Sequence, residues 1–284
     1  MIKKIFLLTL LLCSPVLGQW QDGLKPMLGQ QIDYLKSNGI VGLWWMNEGG
    51  GNVVHDLSGN GNDGIKTGSP VWSTGKYGSV VDHAAADAGW NCGNNNSLNF
   101  TTSDFTVIAD LSGGAGQTSY GSIVSRGLYE TDGWNLGVYE GANIDELYFQ
   151  TWQGSAHQST ISSGNILEVG VSHIYAIRKK GIWCQIFRDG TEVAYHTQNA
   201  HQNPLTSSRD FLIGWYSEAS YDFDGKIGFI YIYNRALSDS EIAELSSNPF
   251  GMAQPVFTVW WYGGIGGEPP ATSIPIFMYH YLNH

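Results

Sequence analysis

Residues 42–65 read GLWWMNEGGGNVVHDLSGNGNDGI, an apolar strand-like run followed by a turn rich in aspartate, asparagine and glycine. These residue types tolerate the left-handed backbone conformations that tight turns need. They also bring carboxylate and carbonyl oxygens close together, which suits a hard cation such as calcium. Asp56, Asn60, Asn62 and Asp63 can supply those oxygens. The same residues also fit a turn whose aspartate and asparagine side chains cap its own backbone.

The chain that follows consists of short apolar or alternating runs bounded by glycine, asparagine, aspartate and serine. Roughly ten such runs are spread over about 200 residues, and each is typical of a β-strand. No helical pattern between them is long enough for a crossover connection. The 37 glycines and 11 tryptophans, with 14% charged residues, agree with many short strands joined by tight turns. The sequence therefore predicts an all-β sandwich of two antiparallel sheets.

Two helical patterns flank these strands. Apolar residues at spacings of three and four predict a short helical lead segment over residues 19–40. Near the other end, Ser238 and Glu241 form a capping box, with Ile242 and Leu245 on the buried side. Asn248 and the proline after it end this second helix.

The N-terminus has the pattern of a secretory signal peptide. Lys3 and Lys4 precede a short apolar run, and cleavage after Gly18 would leave a mature protein that begins near Gln19. We therefore expect residues 1–18 to be removed and the protein to be secreted. In an oxidising compartment, Cys92 and Cys184 can form one disulfide or remain separate buried thiols.

The charge of the chain excludes some partners. The formal net charge is −11, with only 14 lysines and arginines, so no basic surface is expected for nucleic acid or an anionic membrane. The apolar run at the N-terminus is too short for a stable membrane span.

The order of segments resembles the laminin-G-like jelly roll, a concanavalin A-type fold found in lectins and in appended carbohydrate-binding modules. The resemblance extends over residues 41–248. It depends on the Asp56 turn and on FDGKIGFIYIYNRALSDSEIAEL at 223–245, which is similar to the last strand and capping helix of such domains. It implies a concanavalin A-like jelly-roll β-sandwich and a carbohydrate or glycoconjugate ligand.

The resemblance also implies a structural calcium ion near the Asp56 turn. The family's acidic pair before the last strand is replaced here by Gly228 and Phe229, and Asp224 is the nearest substitute. The implied ligand set is therefore Asp56, Asn60, Asn62, Asp63 and Asp224.

The sequence lacks the residue patterns of the enzymes that share this fold. Retaining glycoside hydrolysis needs two carboxylates about 5 Å apart, placed at alternate positions of one strand. No E-x-D-x-x-E pattern, nucleophile elbow or H-E-x-x-H motif occurs. We therefore expect a non-catalytic binding module.

Sugars bind to aromatic rings that stack on their apolar faces, with amides and carboxylates bonding the hydroxyls. Trp90, Trp152, Trp215 and Tyr216 fall at strand ends or in loops, and are the predicted ligand contacts. Trp44, Trp45, Trp134 and Trp183 fall within strand patterns and are expected in the core or on a sheet face.

The C-terminal tail, residues 249–284, is unusually rich in aromatic residues between glycines and prolines. It can pack on the sandwich as extra strands or extended chain. It can also pair with a partner's sheet edge through residues 251–284. The alternative to a glycan-binding module is therefore a structural or adhesive surface or virion-associated protein whose tail mediates assembly.

Overall fold

The structure is a computed structural model that describes residues 39–83, 88–117, 120–139, 146–216 and 221–251. The predicted signal peptide, nearly all of the helical lead segment and the tail from residue 252 lie outside the described residues.

The described residues form seventeen strands, one 3-10 helix and one α-helix. In chain order the elements are β1 (Ile40–Trp44), β2 (Val53–Val54), β3 (Gly64–Thr67), β4 (Val71–Gly75), β5 (Gly78–Asp82), β6 (Gly89–Asn91), the 3-10 helix (Asn96–Leu98), β7 (Phe105–Gly113), β8 (Ser122–Leu128), β9 (Asp132–Tyr139), β10 (Glu146–Trp152), β11 (His157–Ser162), β12 (His173–Lys180), β13 (Trp183–Arg188), β14 (Thr191–Glu192), β15 (Tyr195–Gln198), β16 (Phe211–Ile213), β17 (Gly225–Tyr233) and α1 (Asp239–Ser247).

The strands form two antiparallel sheets. Sheet A has the order β14-β13-β12-β7-β17-β5-β4, and sheet B has the order β15-β11-β10-β9-β8-β16-β6-β3-β2. In sheet A, β1 and β5 share one edge of β17: Trp44 pairs with Ile230, and Val81 pairs with Ile227. The other edge of β17 pairs with β7 along its whole length. The predicted jelly-roll β-sandwich is confirmed.

The main core lies between the two sheets. Alternate residues of β7, from Phe105 to Leu111, point into it from sheet A. Trp134 and Leu136 enter it from β9 of sheet B, and Trp44 stacks on Phe211 with ring centroids 5.6 Å apart. Aromatic rings dominate this core because they bury a large apolar area per residue.

A second apolar layer covers the outer face of sheet A. The predicted helix is α1, and both hydrogen bonds of its Ser238–Glu241 capping box are present. Ile242 and Leu245 pack from α1 on this face, and Phe250 contacts the ring of Trp45. The helix and the chain after it therefore close this side of the sandwich.

The two cysteines of the sandwich are free and buried. Cys92 and Cys184 both belong to the core between the sheets, Cys92 from beside β6 and Cys184 from β13. The sequence left open a disulfide or two separate buried thiols, and the structure has the separate thiols.

Candidate functional site

The outer face of sheet B carries a groove of about 420 Å³. Because side chains alternate along a strand, β10 sends Leu147 and Phe149 into the core and Tyr148, Gln150 and Trp152 to the groove. Neighbouring strands and loops complete its lining: Tyr120, Tyr129, Asn135, Tyr139, Tyr148, Gln150, Trp152, His157, Ser159, Ile161, Thr197, Asn199, Tyr216 and Tyr221.

Aromatic rings form a continuous wall along this groove. Trp152 contacts Tyr129 on one side and Tyr216 on the other, with both pairs of ring centroids 6.1 Å apart. Tyr216 also contacts Tyr221, and the ring centroid of Tyr221 lies 5.9 Å from that of Tyr120. Tyr129 and Tyr221 are 47% and 42% exposed, whereas Trp152 is almost fully covered by its neighbours. The exposed tyrosine faces are available to a flat apolar ligand surface.

The floor of the groove is polar and ordered by its own hydrogen bonds. The Asn135 amide donates to the hydroxyl of Tyr148 at 2.7 Å. The Gln150 amide donates to Ser159 Oγ at 3.1 Å, and its oxygen accepts the indole N–H of Trp152 at 3.2 Å. These bonds fix the side chains in place, so their remaining donors and acceptors have defined directions.

Backbone strain is concentrated at the rim of this groove. Tyr120, Glu130 and Ser155 have φ values of 61°, 54° and 73°. Only a few per cent of non-glycine residues adopt such values, which cost free energy and persist only where the surrounding structure enforces them. Tyr120 is itself a lining residue, and Glu130 accepts a hydrogen bond from the backbone N–H of Ser155. The fold thus holds these rim residues in an unfavourable conformation.

One side of the rim combines a tyrosine, a histidine and a carboxylate. His157 Nδ1 lies 3.1 Å from Glu130 Oε1 and 3.3 Å from the hydroxyl of Tyr129. Burial, with help from the charge of Glu130, raises the pKa of Tyr129, so its hydroxyl remains protonated at neutral pH. Among the described lining residues there is no Asp, Glu, Lys or Arg side chain.

The structure brings two of the four predicted ligand contacts together. Trp152 and Tyr216 both line the groove. The expected exposure of Trp90 is wrong, because this residue faces the core from β6 and is fully buried against Trp72. Trp215 is half-buried beside Gly89 and lies outside the groove lining.

Most residues of the groove are not among the ligand contacts that the sequence predicts. Tyr148, Gln150 and Trp152 occupy every second position of DELYFQTW, and that alternation was the available signal for one polar-aromatic face. Tyr120, Tyr129 and Tyr221 come from loops after or before different strands, so no spacing in the sequence links them.

The Asp56 turn is held by hydrogen bonds among its own residues. Oδ1 of Asp56 accepts the N–H groups of Leu43 and Ser58 at 3.0 and 2.9 Å. Its Oδ2 accepts both the backbone N–H and the side-chain amide of Asn62 at 2.9 Å. Asp63 accepts the backbone N–H of Asp56, and Asn60 donates to the carbonyl of Val41. This arrangement favours the self-capped turn, and calcium binding here stays a prediction.

Asp224 does not belong to this turn. It precedes the first residue of β17, where its carboxylate accepts the N–H of Gly116. Asp56 instead binds Leu43, which lies opposite Tyr231 near the other end of β17. Seven residues of extended chain separate Asp224 from Tyr231, or about 23 Å at 3.3 Å per residue, so Asp224 and the Asp56 turn lie near opposite ends of β17. The five predicted metal ligands are therefore not one site.

Among the described residues, no group of three or more histidine, cysteine, aspartate or glutamate side chains is placed to hold a metal ion. A calcium ion at the Asp56 turn would therefore need asparagine and backbone oxygens in addition to the carboxylates of Asp56 and Asp63.

A laminin-G-type family model, described as the concanavalin A-like lectin/glucanases superfamily, matches residues 87–243, more than half of the chain. The chain belongs to this superfamily. The match begins after the Asp56 turn and includes the strands β7–β11 and β17. No curated protein matches the sequence of the chain.

Solved structures share the superfamily fold at low identity. The binding domain of Paraclostridial mosquitocidal protein 1 has a TM-score of 0.61 at 15% identity, over 76% of this chain and 53% of that one. Domain 4 of AbnA, a GH43 extracellular arabinanase from Geobacillus stearothermophilus in complex with arabinotriose, has a TM-score of 0.54 at 14% identity, over 74% and 98%. Trypanosoma rangeli sialidase, with a TM-score of 0.55 at 17% identity, matches over 75% of this chain and 33% of its own.

This chain thus spans about half of the mosquitocidal binding domain and a third of the sialidase, but nearly all of the arabinanase domain. Likeness at these identities establishes the fold. Within the described residues, no helix has the length and apolarity that a membrane crossing requires.

Proposed function

We propose that the protein is a secreted, non-catalytic module that binds glycans in the groove on sheet B. The observation that carries the proposal is the combination of exposed tyrosine faces with a floor of fixed amides and hydroxyls. A pyranose or furanose ring has apolar C–H faces and a hydroxyl edge. The tyrosines can stack on the faces while Asn135, Gln150 and Ser159 bond the edge.

The polar floor matters because a sugar loses water when it binds. Each buried hydroxyl needs a hydrogen-bond partner, or its desolvation cancels the gain from stacking. Amides supply both donors and acceptors, so they can match hydroxyls in either role. The strained rim and the hydrogen bonds along the floor support a preformed site, which lowers the entropy lost on binding.

The non-catalytic part of the proposal is supported by the described lining. Glycoside hydrolysis needs a carboxylic acid and a carboxylate on opposite sides of the scissile bond. The described lining contains no carboxylate, and that of Glu130 at the rim is held against His157. The likeness to an arabinanase domain that was solved with arabinotriose adds support for a binding role.

The experiment is a binding screen of the mature protein, residues 19–284, against soluble polysaccharides by affinity electrophoresis, followed by calorimetry. Tyr129→Ala and Tyr221→Ala should each weaken binding about tenfold, or about 1.4 kcal/mol. Trp183→Ala is the matched control, because Trp183 is 49% exposed on β13 of sheet A, away from the groove.

Equal loss in Trp183→Ala, or full binding in both tyrosine variants, would place the ligand elsewhere. Release of reducing ends from a bound polysaccharide would contradict the non-catalytic role. The variants should melt at nearly the wild-type temperature, since all three side chains are large, exposed and outside the core.

A further inference from the structure

The part of the groove lining that the structure describes contains no lysine or arginine. It consists of aromatic, amide, hydroxyl and aliphatic side chains together with one histidine. At the rim of the groove, the carboxylate of Glu130 lies 3.1 Å from Nδ1 of the lining residue His157. The fixed charge at the rim is therefore negative.

Three arginine side chains of the described residues are engaged with other groups. Arg126 extends from β8 of the same sheet but donates to the carbonyls of Asn94 and Asn95. Arg188 is paired with Glu168, and Arg178 with Asp239. None of these guanidinium groups lines the groove.

The composition of the chain also disfavours a negatively charged ligand. The four internal segments outside the described residues, 84–87, 118–119, 140–145 and 217–220, contain no lysine or arginine. They contain four acidic residues, Asp87, Glu140, Asp145 and Glu218. The net charge of the whole chain is −11, so the long-range field also repels anions.

A lining without lysine or arginine favours uncharged glycans over anionic ones. A carboxylate or sulfate that enters the groove loses water and gains no counter-charge, which is costly. Repulsion from Glu130 adds to that cost. A hydroxyl in the same position can bond to Asn135, Gln150 or Ser159. We propose that the groove selects uncharged glycans and rejects otherwise identical glycans that carry carboxylate or sulfate groups; this inference rests on the proposed function.

The first test uses matched ligands. Neutral oligosaccharides are immobilised beside the same chains oxidised at C6 to the carboxylate, and binding of the mature protein is measured at low and at physiological salt. We expect the neutral form of any bound chain to bind at least tenfold more tightly. Equal or tighter binding of oxidised chains would overturn the inference and leave the proposed function standing. No binding to either form would overturn both.

The second test adds the missing charge. Thr197 lies on β15 at the edge of the groove and is half-buried. Thr197→Lys should strengthen binding of the oxidised chain severalfold at low salt, and this gain should shrink as salt increases. Thr197→Gln, of similar length and without charge, should leave the preference for the neutral chain unchanged.

If Thr197→Lys binds the oxidised chain at low salt no more tightly than Thr197→Gln does, a missing cation is not the cause of the selectivity, and the inference fails. Tyr221→Ala serves as the reference for the groove, because it should weaken binding of both ligand forms equally.

Discussion

The carboxylate of Asp110 occupies the space where residue 228 would carry a side chain. A Cβ atom built on Gly228 would lie 1.9 Å from Asp110 Oδ2. The register between β17 and β7 slips at this point, between Ile227 and Phe229. Asp110 is almost fully buried and accepts a hydrogen bond from Ser172. Glycine at 228, where the resembled family has an acidic residue, therefore makes room for a buried carboxylate of the neighbouring strand.

A side chain at residue 228 should destabilise the fold. Gly228→Ala should lower the free energy of unfolding by about 1–3 kcal/mol, because the new methyl group forces Asp110 or the bulge to move. Urea denaturation followed by tryptophan fluorescence measures the change. Gly50→Ala is the control, since no atom lies within 4 Å of a Cβ built there. Equal stability of the two variants would contradict the argument.

Two buried histidines should make the fold sensitive to acid. Burial lowers the pKa of His83 and of His201 to about 4, and in His201 the nearby Lys179 adds to this effect. An unfolded histidine takes up its proton below about pH 6.5, whereas these two resist it until about pH 4. Their contribution to stability is thus complete above pH 6.5 and is lost as the pH falls toward 4, by about 3 kcal/mol each.

Unfolding by urea at several pH values checks this expectation. His201 lies between the hydroxyls of Thr151 and Thr160, at 3.0 Å from each. His201→Gln should flatten the pH dependence, whereas the same change at the exposed His196 should not. A wild-type stability that is constant from pH 7 to pH 4 would refute the prediction.

The stability of the Asp56 turn should depend strongly on the side chain of Asp56 itself. Asp56→Ala leaves several N–H groups near the surface of the core without an acceptor, which should cost ~3 kcal/mol. Asn60→Ala removes weaker bonds on the exposed side and should cost under ~1 kcal/mol. Thermal unfolding of both variants and of the wild type, with added calcium and with a chelator, measures these costs.

The same thermal unfolding experiments distinguish a self-capped turn from a calcium site. Because four N–H donors already occupy the carboxylate of Asp56, we expect the loss in Asp56→Ala to be equal with calcium and with chelator. A wild-type melting temperature that rises with calcium, and a rise that disappears in Asp56→Ala, would instead establish the calcium site.

Both sandwich thiols should be unreactive in the folded protein. Burial raises the pKa of Cys92 and of Cys184, so neither provides a thiolate near neutral pH. A colorimetric disulfide reagent at pH 8 should detect no thiol in the native mature protein and two after guanidinium is added. A cysteine placed at the exposed Thr191 should react at once. Rapid native reaction of Cys92 or Cys184 would disprove their burial.

The fold could be predicted from the sequence because its signals are local. The strand runs bounded by glycine, and the capping box at Ser238 and Glu241, are both read from neighbouring residues. The composition of the Asp56 turn predicted a tight Asx-rich turn and left a cation site open. Its hydrogen bonds to Leu43 could not be read from spacing, because they join different segments.

The groove could be predicted only in part. A place at a strand end predicts Trp152 and Tyr216 as ligand contacts, but it also predicts Trp90, which faces the core. A three-residue strand such as β6 is too short for alternation to indicate which face is buried. Tyr120, Tyr129 and Tyr221 meet only because sheet B brings their loops to one side, which depends on the strand order.

Phe250 fixes the last described part of the chain on the face of sheet A that α1 covers, while the groove opens on sheet B, on the opposite side of the core. The next residue, Gly251, is the last one that the structure describes. A ligand held in the groove is therefore separated from α1 and Phe250 by the full thickness of the sandwich.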